Sequence, residues 1–113
     1  MVDRGLISLK LADLADRIAR VRSRCPTTVD DLRADRDALD LVSFNLMLAV
    51  QTCSDIAAHI IADEGWPAAQ SLAAAFNRLS AEGVVSPATA GVRDLEAFSQ
   101  EVARWVASRA TPP

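Results

Sequence analysis

The feature that most constrains this chain is a series in its middle: Leu39, Val42, Leu46, Ala49, Cys53, Ile56 and Ile60 recur at alternating spacings of three and four. At 3.6 residues per turn such a series makes one apolar seam along a helix, whereas strand side chains alternate with period two and cannot present it. The seam predicts a helix capped at Thr27 or Thr28, with Asp30 and Asp31 in its first turn, running to about Asp63. Such a helix would span roughly 50 Å. A second stripe, with Leu41, Phe44, Leu48, Asp55 and His59, is also partly apolar. A helix apolar on two sides is buried on two sides. The seam is expected to face the core, and Phe44, Asp55 and His59 to lie at or near a two-fold interface with a second copy.

The flanking segments read as helices too. Ile7, Leu11, Leu14, Ile18 and Val21 place a seam on a first helix over about 6–24, which Pro26 ends. Pro67 suits the opening of a third helix carrying Leu72, Ala75, Phe76 and Leu79, with Gly83 just past its end. Ser86 and Pro87 suit a cap and start for a last helix from about Thr89, carrying Val92, Leu95, Phe98, Val102 and Trp105 or Val106. Residues 110–113 read as a frayed tail. Abundant alanine and scarce β-branched runs agree with helix throughout. The expected fold is all-α, an up-and-down four-helix bundle formed by a single domain over 1–113.

Bulk features exclude several classes. No unbroken apolar run approaches 18 residues, so no membrane span is expected. The N-terminus lacks a signal-like apolar segment, which predicts a cytoplasmic protein with Cys25 and Cys53 as reduced thiols. Neither cysteine has Cys or His companions at ligand spacing, so no metal or other cofactor is expected. A net charge of −3 gives no general electrostatic grip on nucleic acid. Arg17, Arg20, Arg22 and Arg24 crowd the end of the first helix, where cations oppose the dipole; a local phosphate patch is the alternative.

Candidate chemistry is sparse. His59 is the sole histidine and follows Asp55 by four residues, one helical turn away. An Asp–His pair can orient a general base, yet no nucleophile stands beside it, so a structural polar pair is the better reading. Asp30, Asp31, Asp35, Asp37 and Asp40 alternate with Arg33 and Arg36, without the turn glycine of a calcium loop, and read as a solvated face with local ion pairs. Trp66 and Trp105 read as packing residues.

An ordered set of segments carries a resemblance. It comprises Leu48-Ala49-Val50-Gln51-Thr52-Cys53-Ser54-Asp55-Ile56-Ala57-Ala58-His59-Ile60-Ile61, then Gly65-Trp66-Pro67, Phe76-Asn77-Arg78-Leu79, Glu82-Gly83-Val84-Val85-Ser86-Pro87, Asp94-Leu95-Glu96-Ala97-Phe98 and Val102-Ala103-Arg104-Trp105. Over about residues 6–108 the chain resembles HepT-like proteins of the HEPN superfamily. The resemblance implies a helical homodimer, a toxin ribonuclease of a toxin–antitoxin pair, and a minimal nucleotidyltransferase antitoxin as its partner. Activity in the family rests on an Arg-x-x-x-x-His motif that meets its copy at the dimer interface to form one RNA-cleaving site, with a tyrosine beside it that the antitoxin modifies. Here Ser54 stands five residues before His59, and the sequence has no tyrosine. Two alignments fit. In one, residues 91–98 are a decayed motif, with Arg93 kept and Phe98 in place of the histidine. In the other, favoured because the match runs on through Trp105, Asp94 to Phe98 belong to the last helix, and the motif segment is missing between Ser86 and Gly91. His59 would then sit close to the catalytic cleft without being the catalyst.

Overall fold

A computed structural model describes residues 2–89 and 94–109. It is all-α, with five helices where four are expected and no strand among the described residues: α1 Arg4–Arg24, α2 Val29–Ala34, α3 Arg36–Asp63, α4 Leu72–Ala81 and α5 Leu95–Arg109. Asp3 caps α1 by accepting the Leu6 N–H at 3.0 Å, and the chain turns extended at Cys25 ahead of Pro26, as the sequence indicates.

The long middle helix is not continuous. Thr28 caps a six-residue α2, accepting the Asp31 N–H at 3.1 Å, and the chain then leaves helix at Asp35. There φ is −105° and ψ is 96°, and the Asp35 carboxylate accepts the Ala38 N–H at 3.1 Å as the cap of α3. A short acidic side chain offers the backbone this alternative to helix, and inside an apparently helical pattern it prevails. Asp35 is therefore a cap rather than a member of a solvated ion-paired face.

The start of α4 also differs. Ser71, whose hydroxyl accepts the Ala74 N–H at 3.1 Å, opens it instead of Pro67. At the far end Gly83 (φ +78°) takes the left-handed conformation, while the Val84 N–H reaches the Leu79 carbonyl at 2.8 Å and the Gly83 N–H that of Ser80 at 3.1 Å. Gly65 (φ +73°) closes α3 with the same pair of bonds, from Trp66 to Ile61 and from Gly65 to Ala62. Asp94 receives the Ala97 N–H at 2.9 Å, so α5 begins at Leu95 rather than near Thr89.

Cross-links along the elements fix their directions. Asp3 to Asp63, Lys10 to Asp55, Asp13 to Thr52 and Arg17 to Asn45 run α1 antiparallel to α3. Arg22 to Glu96 and Arg109 to Glu64 lay α5 parallel to α3. The core joins Ile7 and Leu14 of α1, Ala49, Cys53, Ile56 and Ile60 of α3, Phe76 and Leu79 of α4, and Phe98, Val102 and Val106 of α5. Phe76 and Phe98 meet edge-to-face at 5.1 Å.

The α3 seam is as expected except at one turn. Leu46 points to solvent, 41% exposed, and Asn45 occupies the core side at 5%. Among the described residues α3 is the one helix long and apolar enough to cross a membrane, and a third of its most apolar 18-residue window is buried inside the protein.

Candidate functional site

The charged and polar side chains expected to matter do not converge on one place. Asp55 is mostly solvent-exposed and its ion pair is with Lys10 of α1 at 3.7 Å, not with His59. His59 is half-buried on the same flank of α3. The stripe containing Leu41, Leu48, Thr52, Asp55 and His59 thus borders α1: Thr52 donates to Asp13 at 3.2 Å, and Leu41 and Leu48 are half-buried. Phe44 departs from that stripe and is 54% exposed. Arg93, and the chain junction at Ala90 and Gly91 where a missing segment would fall, lie outside the described residues.

Phe98, the position of the motif histidine in the decayed-motif alignment, is 1% exposed in the core and packed on Phe76. A side chain there cannot face a cleft. This favours the reading in which Asp94 to Phe98 are simply the first turn of the last helix.

The arginine group divides. Arg17 lies across α3 and donates to the Asn45 side-chain oxygen at 3.1 Å, with Asp13 at 3.8 Å from its Nε. Arg20 pairs with Asp16 at 3.1 Å, and Arg22 pairs with Glu96 of α5. Three of the four cations are thus engaged with the protein's own acceptors. Trp66 and Trp105 pack on each other at 6.3 Å, as expected of packing residues, and the Arg109 guanidinium lies 4.7 Å over the Trp105 ring.

Two cavities are notable. One, of about 410 Å³, is polar and lies between the turn after α4 and the face of α5 that carries Glu101, Arg104, Trp105 and Ser108. Here Glu101 accepts the Ser86 N–H at 3.3 Å, while the Ser86 and Thr89 hydroxyls lie 3.0 Å apart and Thr89 is buried. Burial pushes the Glu101 carboxyl up, but the hydrogen bonds from Thr89 and Ser86 and the nearby Arg104 outweigh it, holding the group below the ordinary carboxylate range. The sequence suggests Ser86 as the cap of the last helix, a role that Asp94 takes instead, and gives no sign of Glu101, because that contact spans two elements and no periodicity marks it.

The second cavity, of about 310 Å³, is mainly apolar and lies between α3 and the 66–72 segment, lined by Ser54, Ala58, Ala62, Trp66 and Leu72 among others. Among the described residues no three His, Cys, Asp or Glu side chains gather as metal ligands would. Cys53 is fully buried, and burial pushes its thiol up to about 12, whereas Cys25 is exposed.

A small all-α domain whose core joins four of its five helices, with no assembled acid–base constellation among its described residues, fits many helical families. The family comparison narrows this: the family model described as "Ribonuclease HepT-like" matches residues 14–99. The chain belongs to the HepT-like ribonuclease family. No curated protein and no solved structure matches it.

Proposed function

We propose that this chain is the toxin component of a toxin–antitoxin pair, a homodimer working in the cytoplasm beside a minimal nucleotidyltransferase antitoxin. Its family chemistry is metal-independent RNA cleavage. The observation that carries the reading is the family match over residues 14–99. Such cleavage needs a base for the 2′-hydroxyl and a cation for the phosphate, roles that a His and an Arg fill. The sole histidine here, His59, has Ser54 where the motif places Arg, and Phe98 is a core residue. The 113-residue chain by itself is therefore inactive, and the ribonuclease role belongs to a form that carries the motif segment.

A second reading, a HEPN-type helical module that dimerises without cleaving, is favoured by a sequence that has neither an Arg-x-x-x-x-His motif nor a tyrosine. The DNA between the codons for Ser86 and Arg93 decides between them: an Arg-x-x-x-x-His coding segment there supports the toxin, and direct continuity supports the module. The 113-residue chain, incubated with total RNA at high protein concentration and with a metal chelator, should leave the RNA intact. Cleavage above a mock preparation would overturn the claim of inactivity.

A further inference from the structure

Phe44, Met47, Gln51, Ser54, Ala58 and Ala62 of α3 succeed one another at spacings of three and four. At 100° per residue they fall within a sector of about 80°, on the side of the helix opposite Val42, Ala49, Ile56 and Ile60. All are exposed except Ser54, which is half-buried. The stripe is large at one end, with Phe44 54% and Met47 50% exposed, and small at the other, where Ser54, Ala58 and Ala62 form one wall of the 310 Å³ apolar cavity. No charged residue lies on α3 between Asp40 and Asp55, in a chain where 24% of residues are charged. Depletion of charge is the compositional mark of an interface centre.

We infer that this stripe docks on the same stripe of a second copy, antiparallel about a two-fold axis between Thr52 and Cys53, so that Phe44 and Met47 of each copy enter the small-residue groove of the other. The register follows from the spacing. With the axis there, Met47 stands level with Ala58 of the second copy and Gln51 with Ser54, while Phe44 falls within one residue, about 1.5 Å, of Ala62. The large end of each stripe meets the small end of the other, as a self-complementary isologous contact requires. Methionine, unbranched and adaptable, suits an irregular groove. The inference rests on the self-association proposed above and adds which residues meet.

The size of the contact sets its strength. Residues 44–62 extend about 27 Å along α3, and a strip about 10 Å wide offers on the order of 300 Å² per copy. The walls of the 66–72 segment add to this. Even doubled, that lies at the low end for specific interfaces, below about 1,200 Å² in total. The dimer is expected to dissociate in the range of tens of micromolar.

Disulfide trapping tests the register. Met47→Cys and Ala58→Cys are combined in a Cys25→Ser background. Within one helix these positions are about 16 Å apart, beyond the roughly 7 Å limit between Cα atoms for a disulfide, so a bond between them joins two copies. Mild oxidation at 100 µM should give a covalent dimer on a non-reducing gel, and a mixture of the two single-cysteine proteins should cross-link while neither does so alone. In sedimentation of the untrapped protein, Phe44→Ala should weaken association at least tenfold. A dimer that cross-links through Met47→Cys alone, or that ignores Phe44→Ala, overturns this register but leaves dimerisation standing. A monomer at 100 µM overturns both, including a monomer that binds phosphatidylcholine–phosphatidylglycerol vesicles through Phe44. None of these outcomes reads RNA cleavage, so the ribonuclease assignment is tested separately.

Discussion

Asn45 is the residue whose role differs most from its appearance in the sequence. It sits beside Leu46 in a seam that calls for leucine, yet Asn45 is the buried one. Its amide donates to the Leu41 carbonyl at 2.8 Å, and its oxygen accepts from Arg17. Asn45→Ala leaves the half-buried Arg17 guanidinium without that acceptor and should cost about 1–3 kcal/mol in urea unfolding. Arg17→Met combined with Asn45→Leu removes donor and acceptor together and should recover most of the loss. A purely additive double mutant would show that the two residues are not coupled. Cys53 makes a pH prediction. Its folded pKa of about 12 lies above the ordinary value of 9.0, so the neutral thiol is favoured in the native state. Its contribution is complete below pH 9 and is lost progressively as pH rises from 9 toward 12, because the unfolded chain gives up the proton first. The melting temperature should fall over that window, and Cys53→Ala, at some cost in packing, should flatten the fall.

Among the elements, the break at Asp35 decides how α2 and α3 share the chain. Sequence patterning runs the apolar repeat through this point, since helix periodicity is blind to a single cap. With Asp35 bonded to the Ala38 N–H, six residues fold as a separate short helix beside the start of α3. Asp35→Ala should destabilise the protein by about 1 kcal/mol, as loss of a cap does, measured by denaturant unfolding. Asp35→Asn, which keeps the acceptor, should lose only a fraction of that. If Asp35→Ala is neutral, the side chain is not what ends α2. The same logic places the start of α4: Pro67 is compatible with a first turn, but Ser71 supplies the bond that one needs.

For the whole molecule, the periodic apolar positions were enough to establish an all-α protein with a central long helix, because burial of a stripe is the main source of helix stability in a folded chain. The Schellman closure at Gly83 and the cap at Thr28 were equally legible, since each depends on bonds within a few residues. The resemblance to HepT-like proteins was carried by short ordered segments that the family match over 14–99 bears out. Only tertiary structure decided that Asn45 is buried and Leu46 exposed, that Asp55 pairs with Lys10 rather than His59, and that Phe98 lies in the core on Phe76. It likewise brought Glu101 to Ser86 and left the Phe44–Ala62 stripe uncovered. Each of these depends on which helix lies against which face. Spacing along one helix specifies that a face is apolar, but the neighbour that covers it comes from a distant part of the chain.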